Sequence, residues 1–132
     1  MESSKEKLDA YLKSIGGLEN GRRPNRPPIT DAQYFECHEG WYPLIQELIE
    51  DLIKLDWDKQ VIQVKEKFGG LRFYINEGSK EIHDRITEAE SNSYATCEYC
   101  GSAGEARRDI GWIRTLCDQH YLEKLDHLNK KP

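Results

Sequence analysis

The sequence lacks the features that mark membrane proteins, secreted proteins and non-specific DNA-binding proteins. No apolar run approaches the ~20 residues that a helix needs to span a bilayer. The N-terminal segment, MESSKEKLDA, has no signal-peptide core. The formal net charge is −5, whereas binding to DNA of any sequence needs a strong positive field. We therefore expect a cytoplasmic protein, in a compartment that keeps its cysteines reduced.

The motifs of two zinc enzyme classes are missing as well. Nucleases of the HNH type need a catalytic histidine between their two pairs of zinc ligands, and residues 101–116 contain no histidine. Zinc deaminases use His-x-Glu followed by Pro-Cys-x-x-Cys. In this chain Glu39 follows His38 without a spacer, and threonine rather than proline precedes Cys97. Both enzyme classes are therefore disfavoured.

The dipeptide Cys37-His38 is another candidate for nucleophilic chemistry. Adjacent side chains usually point apart, and no third residue is evident that would orient the histidine. A packed cysteine beside a surface or capping histidine accounts for the same residues. We predict no catalytic residue, and an enzyme that uses Cys37 or an unrecognised pair of carboxylates is the least favoured hypothesis.

The chain does contain enough clustered apolar residues for a hydrophobic core. It has 132 residues, of which 37% are hydrophobic and 33% charged, and a chain of this length buries roughly two-thirds of its unfolded surface. We divide it into an N-terminal helix with a basic Pro/Gly loop at 1–30, a helix-hairpin-helix core at 31–94, and a zinc-binding module with a C-terminal helix at 95–132.

Helix signals open the chain and dominate its centre. Ser3 and Glu6 form a capping-box pattern that predicts a short first helix. Residues 41–56 carry a wide apolar stripe, with Pro43 suited to the first turn, and predict the helix at the centre of the core. We expect Gly40 to break the chain before it. The same spacing predicts the buried positions of a helix at 80–92: Ile82, Ile86 and Ala89.

The segment 16–29, GGLENGRRPNRPPI, is typical of a loop. Its arginines make it locally basic, and it is either a solvated connector or an arm that binds an anion or a partner. A second capping-box pattern, Thr30 with Gln33, predicts a helical turn through Phe35.

Residues 61–75 carry the strongest hairpin signal. Two β-rich runs flank Gly69 and Gly70, which suit a two-residue turn with positive φ. In that register Lys67 lies opposite Arg72, and like charges directly opposed are unfavourable. An anion nearby would relieve this repulsion. The predicted apolar face consists of Ile62, Val64, Phe68, Leu71, Phe73 and Ile75, with Glu66 as the exception.

The polar face of this hairpin supplies a candidate binding surface. Basic residues of the C-terminal module would join the same anionic site if the two segments were adjacent. The predicted anion-binding or partner-binding residues are Lys65, Lys67, Arg72, Tyr74, Arg107 and Arg108.

Two pairs of cysteine and histidine residues give the strongest chemical signal. Cys97 and Cys100 flank a tight turn that Gly101 allows to close. Cys117 and His120, three positions apart at the start of the last predicted helix, lie on the same side of it. Three thiolates and one imidazole form a closed tetrahedral site for one structural zinc ion. A filled shell leaves no position for water, so zinc catalysis is disfavoured.

The remaining residues of the C-terminal module predict a hairpin and a helix. Residues 103–116 fit a short hairpin, and a helix at about 118–129 follows. The turn that carries Cys97 and Cys100, which we call the knuckle, is followed by the hairpin and the ligand-bearing helix. This is the order of elements in a treble-clef finger. His127 is a weaker candidate for the fourth ligand, and buried free thiols or a redox Cys-x-x-Cys pair are the alternatives to a metal. Trp41 and Trp112, each after a glycine, are predicted core anchors. The predicted apolar side of the last helix is Tyr121, Leu122, Leu125 and Leu128.

The segments GWYPLIQELI, VKEKFGGLRFYI, TCEYCG and GWIRTLCDQH together resemble a family of small zinc-finger proteins found in phage and prophage genomes. The similarity covers about residues 34–121. The resemblance implies a phage context in a bacterial host cell and no particular activity.

The segments CEYCGSAGEARR and TLCDQH are similar to the zinc finger of the DksA/TraR transcription regulators. In that family a cysteine knuckle and a glycine lead to an Ala-Arg pair, and a second ligand pair closes the site. His120 stands where the family usually has cysteine. The long coiled coil that such regulators insert into RNA polymerase is not visible here, because the hairpin interrupts the helices. The matching positions are Cys97, Cys100, Gly101, Ala106, Arg107 and Cys117.

These patterns predict an α+β fold, in which a core helix packs on a small antiparallel sheet and a C-terminal treble-clef-like zinc module follows. The favoured function is a non-enzymatic, phage-type accessory protein that binds a host protein or a small anionic ligand. The alternative is a nucleic-acid-binding or transcription-regulating zinc-finger protein, whose binding would weaken steeply with salt.

Overall fold

The computed structural model describes residues 3–15, 32 and 35–129, and its helices and small antiparallel sheets confirm the predicted α+β class. The loop at 16–29 and the pattern of Thr30 with Gln33 lie outside the described residues. Each of the two sheets is an antiparallel pair of strands. The elements are α1 Ser4–Ser14, α2 Tyr42–Lys54, β1 Val61–Lys67, β2 Gly70–Ile75, α3 Lys80–Ser93, β3 Glu105–Arg107, β4 Arg114–Leu116 and α4 Asp118–Asn129.

Helix α1 begins at the predicted capping box. The Ser3 hydroxyl accepts a hydrogen bond from the Glu6 N–H at 3.1 Å, and the Glu6 carboxylate accepts one from the Ser3 N–H at 3.4 Å. These bonds satisfy donors that have no partner inside the helix. Leu8 and Leu12 are fully buried, and α1 packs on α2. This docking stabilises a helix that is too short to be stable alone.

Helix α2 is the centre of the core, as its apolar stripe predicts. A 3-10 turn at Glu39–Trp41 leads directly into it. The expected break at Gly40 is therefore wrong, because Gly40 lies inside this turn. The helix ends at Lys54, two residues before the predicted end at 56, and Asp56, just beyond it, has a φ of 62°. The buried side chains of α2 are Tyr42, Ile45, Leu48, Ile49 and Leu52.

The β1–β2 hairpin forms in a register that differs from the predicted one. Lys67 pairs with Gly70, so Phe68 and Gly69 form the turn instead of Gly69 and Gly70. Both turn residues have positive φ, 54° and 87°, as a type I′ hairpin turn requires. Gly70 belongs to β2, where a side chain would overlap with the Tyr94 ring. The second glycine is thus explained by a close contact and not by the turn.

The new register changes the two faces of the hairpin near the turn. Phe68 leaves the predicted apolar face and is 66% exposed. Lys65 lies opposite Arg72, so the predicted opposition of like charges persists with a different lysine. Glu66, the exception on the apolar face, accepts a hydrogen bond from the Gly69 N–H at 2.7 Å and so stabilises the turn.

Helix α3 covers the hairpin and packs against both β2 and α2. The Ser79 hydroxyl caps its first turn by accepting a hydrogen bond from the Ile82 N–H at 3.2 Å. Ile82, Ile86 and Ala89 are buried, as the spacing predicts. None of the helices within the described ranges is long and apolar enough to cross a membrane.

Helix α4 has the predicted range, and its apolar side is only partly covered. No residue of Asp118–Asn129 is buried, and Leu122 is 61% exposed. Trp112, predicted to be a core anchor, is 65% exposed. The prediction for Trp112 is wrong, because the second hydrophobic cluster is too small to cover it. Of the predicted apolar side of α4, Tyr121 and Leu125 pack against this cluster. Its buried members are Cys97, Ile110, Leu116 and Cys117.

Candidate metal centre

Four side chains of the C-terminal module converge at one point. Cys97, Cys100, Cys117 and His120 each offer one ligand atom, and these atoms all lie within 4.8 Å of one another. Cys97 and Cys117 are buried, His120 is half-buried and Cys100 is exposed. This group of described residues could hold a metal ion, and His127 is not part of it.

The distances within the cluster fit a tetrahedral site. The Sγ atoms of Cys100 and Cys117 are 3.7 Å apart. The Nδ1 atom of His120 lies 3.2 Å from Cys117 Sγ and 3.5 Å from Cys97 Sγ. Zinc–sulfur bonds of ~2.3 Å and zinc–nitrogen bonds of ~2.0 Å at tetrahedral angles would place such atoms about 3.5–3.8 Å apart. The residues therefore fit one four-coordinate ion.

A tight turn brings the first ligand pair together. The Gly101 N–H donates to the Cys97 carbonyl at 2.9 Å, and the Cys97 N–H donates to the Ser102 carbonyl at 2.7 Å. Gly101 has a φ of 83°, a left-handed conformation that favours glycine. The knuckle thus closes in the way that Cys-x-x-Cys-Gly predicts.

The first turn of α4 brings the second pair together. The His120 N–H lies 3.5 Å from Cys117 Sγ, and the Tyr121 N–H donates to the Cys117 carbonyl at 2.9 Å. Helical spacing therefore places the thiol and the imidazole on one side. Between the two ligand pairs, strands β3 and β4 form the predicted short hairpin.

The thiols of the cluster differ in acidity. Hydrogen bonding by Ser102 lowers the pKa of Cys100 to about 6. Burial raises the pKa of Cys97 above its ordinary value. Because the thiolate is the form that binds metal, Cys100 is a ready ligand at neutral pH. A bound cation would deprotonate a buried thiol such as Cys97.

The knuckle is joined to the core through close backbone contacts. The Gly40 N–H donates to the Glu98 carbonyl at 2.7 Å, and a side chain at Gly40 would overlap with the Cys97 carbonyl. The Trp41 indole N–H donates to the Thr96 carbonyl at 2.9 Å. The glycine before Trp41 is therefore explained by the approach of the knuckle to the start of α2.

A buried ion pair that sequence reasoning missed lies inside the knuckle. Glu98 is 1% exposed, and its carboxylate accepts hydrogen bonds from Arg114 at 2.6 Å and from the His38 N–H at 3.1 Å. Burial raises the pKa of this carboxyl, and the Arg114 charge opposes the shift. A glutamate between two ligand cysteines has the pattern of a surface residue, so no signal in the sequence could have found the pair.

The structure gives Cys37 and His38 different surroundings. Burial, followed by the charges of Glu98 and Glu66, raises the pKa of Cys37. Cys37 is therefore a thiol at neutral pH and a poor nucleophile. The His38 ring packs edge-on against Tyr99, with the ring centroids 4.5 Å apart.

The predicted basic residues fall into two groups. Lys65 and Arg72 lie opposite each other on the hairpin, and Lys65 Nζ lies 6.0 Å from the centroid of the Tyr74 ring. Lys67 is at the end of β1, with its Nζ 5.7 Å from the centroid of the Phe68 ring. These side chains share the polar face of the β1–β2 hairpin, as predicted.

Arg107 and Arg108 form the other group, in the C-terminal module. The Arg107 guanidinium binds the Asp118 carboxylate at 2.8 Å and lies 3.4 Å from the Glu105 carboxylate. Both arginines line a cavity together with Tyr121. The guanidinium of Arg107 is thus directed at acidic residues of its own module and not at the hairpin.

Comparison of the chain with protein-family models, with curated proteins and with solved structures gives no match. The geometry of the metal cluster and of the exposed faces is therefore the basis for the function proposed below.

Proposed function

We propose that the chain is a zinc-stabilised, non-enzymatic binding protein that takes an anionic partner on the polar face of the β1–β2 hairpin. The observation that carries the zinc assignment is the convergence of a Cys₃His donor set, whose ligand atoms all lie within 4.8 Å of one another, with three of the distances at 3.2–3.7 Å. Closed sites of this composition are typical of structural zinc. The four ligands of the proposal are Cys97, Cys100, Cys117 and His120.

The structural role of the ion is supported by the small size of the second hydrophobic cluster. A module with so few buried side chains gains too little from burial to fold alone, and a metal can supply the difference. In this proposal the knuckle, the β3–β4 hairpin and α4 form a treble-clef-like finger. A reducing cytoplasm would keep the three thiols available.

The anionic partner is supported by unpaired charge on the hairpin. In the part of the chain that the structure describes, Lys65, Lys67 and Arg72 have no carboxylate oxygen within 4.0 Å. Cations that face one another without an acidic partner repel, so an anion bound between them is favoured. The resemblance to phage proteins adds the proposal that this partner is a component of the bacterial host.

Native mass spectrometry of the gently purified protein tests the proposal. We expect a mass excess of one zinc ion, lost on denaturation, together with a co-purified anionic species. Lys65→Gln with Arg72→Gln should keep the zinc and release the anion. Lys54→Gln with Lys80→Gln removes the same charge from exposed helical sites and should release nothing. A chain without zinc, or equal behaviour of the two double variants, would refute the proposal.

A further inference from the structure

Two large aromatic side chains are exposed near the contact between the β1–β2 turn and the β3–β4 hairpin. Phe68 in the β1–β2 turn is 66% exposed, and Trp112 in the loop between β3 and β4 is 65% exposed. The β1–β2 turn contacts strand β4 and the residue before it, because the Thr115 hydroxyl donates to the Gly69 carbonyl at 2.7 Å and Gly69 lies close to Ile113. Phe68 precedes Gly69 and Trp112 precedes Ile113, so the two exposed aromatic residues adjoin this contact in the sequence.

Neither the turn nor the core explains a phenylalanine at position 68. Its φ of 54° lies in the left-handed region, which is sterically unfavourable for a bulky side chain. The first position of a type I′ turn favours asparagine, aspartate or glycine. The exposed ring also gains little from burial. A residue that is unfavourable for the turn and absent from the core is best explained by contact with a partner.

Cations and further aromatic rings continue the surface along the hairpin. The Arg72 guanidinium donates to the Tyr94 hydroxyl at 3.3 Å, and the Arg114 guanidinium lies 6.0 Å from the Trp112 ring centroid. Tyr94 is itself exposed. We name this surface the aromatic–basic face, and it consists of Lys65, Lys67, Phe68, Arg72, Tyr94 and Trp112.

We propose that the aromatic–basic face binds single-stranded nucleic acid, with bases stacked on the rings and phosphates paired with the cations. This inference rests on the proposed function, in that it takes the polar face of the hairpin as the site of the anionic partner, and it adds the chemical class of that partner. Exposed rings interspersed with cations are the arrangement that single strands use, since every base has a π-face and every nucleotide a phosphate.

Other classes of partner fit this face less well. The rings are exposed on an open surface, which does not enclose a small ligand as most small-molecule sites do. Duplex nucleic acid keeps its bases stacked on one another and offers none to Phe68 or Trp112. Lysine is depleted in protein interfaces, whereas Lys65 and Lys67 lie among the rings.

The local charge of the face is positive although the whole chain has a net charge of −5. Two acidic residues lie near the face: the Glu36 carboxylate accepts a hydrogen bond from Gln63 at 3.2 Å, and the Glu90 charge interacts with Arg72. Binding by three cations should follow salt with a log–log slope of about −2 for a single strand. A fourfold rise in salt should therefore weaken binding roughly twentyfold.

The test is fluorescence anisotropy with a labelled oligothymidylate of about 16 nucleotides and the full-length, zinc-loaded chain. Trp112→Ala and Phe68→Asn should each weaken binding roughly ten- to a hundredfold, the range for the loss of one stacking ring. Leu122→Ala is the matched control, because it removes a similarly exposed apolar side chain from α4. It should leave binding unchanged.

Phe68→Asn separates binding from folding. Asparagine followed by Gly69 is the preferred type I′ turn, so this variant should melt at the same temperature as the original chain or higher while it binds more weakly. A structural role of the ring would lower the melting temperature instead. Failure of the oligonucleotide to bind, or binding that neither ring substitution weakens, would overturn the inference.

Polyglutamate and inorganic pyrophosphate complete the experiment. If either binds through Lys65 and Arg72 while the oligonucleotide does not, the inference fails and the proposed anionic partner stands. If none of the three anions binds, both fail. If the oligonucleotide binds more tightly than polyglutamate and than a duplex of equal length, the single-strand assignment is supported.

Discussion

Helices α2 and α4 both carry apolar stripes in the sequence, yet the structure holds them in different ways. Helix α2 packs against α1 and α3 and buries Leu48 and Leu52 completely. Helix α4 packs mainly on the short strand β4 and buries no side chain. Its first turn instead carries Cys117 and His120. One half of the molecule therefore depends on burial, and the other, in our proposal, on a metal held by the four-residue cluster.

The free energy from several buried side chains of α2 is similar in size to that from one bound zinc ion. Each buried leucine of α2 contributes roughly 1.5–3 kcal/mol relative to an exposed one. A structural zinc ion has an apparent binding free energy of roughly 10–16 kcal/mol in small fingers. One ion can therefore replace several buried side chains. This explains how α4 can leave Leu122 and Leu128 exposed and still be part of an ordered module.

Loss of the metal is the largest expected perturbation. Cys100→Ser should abolish zinc retention and remove most of the roughly 10–16 kcal/mol that the ion contributes. Amide hydrogen exchange should then lose protection across 95–129, while α2 and α3 keep theirs. Cys37→Ser, which changes a cysteine outside the cluster, should keep both zinc and protection. An unchanged thermal melt of Cys100→Ser would contradict the structural role of the metal.

The ion pair of Glu98 and Arg114, inside the C-terminal module, comes next. Glu98→Ala leaves Arg114 buried without its partner and should reduce the free energy of unfolding by roughly 3–5 kcal/mol. Glu98→Gln keeps the shape and an acceptor for the His38 N–H, so its loss should be smaller. Urea denaturation with zinc present measures both. Equal stability of the alanine variant and the original chain would show that the pair does not stabilise the C-terminal module.

The regular elements could be predicted because local patterns determine them. The capping box of Ser3 and Glu6, the stripe of α2 and the ligand spacing of the finger all depend on residues a few positions apart. The hairpin register could not be predicted from the two glycines alone. Gly69 and Gly70 suit the turn equally well, and only the ring of Tyr94, distant in sequence, excludes a side chain at position 70.

The same limit applies to the residues around the metal cluster. The four ligands follow from spacing, whereas the burial of Glu98 depends on Arg114 and on the approach of Gly40 from the core. Trp112 looks like a core residue by composition, and only the small size of the second cluster leaves it exposed. Contacts between residues distant in sequence determine the burial of Glu98 and the exposure of Trp112, and local sequence patterns do not reveal such contacts.

A matched pair of leucine substitutions gives the smallest and most direct test of the comparison. Leu48→Ala removes a fully buried side chain from α2 and should reduce the free energy of unfolding by roughly 2–5 kcal/mol. Leu122→Ala makes the same chemical change on α4, where the side chain is 61% exposed, and should stay within about 0.5 kcal/mol of the original chain. Both variants should keep their zinc. Thermal denaturation with and without a chelator separates the contribution of burial from that of the metal, because Leu48→Ala should destabilise the core whether or not zinc is bound. A large effect of Leu122→Ala with zinc bound would mean that α4 is held by burial after all, against a surface that the described residues do not include.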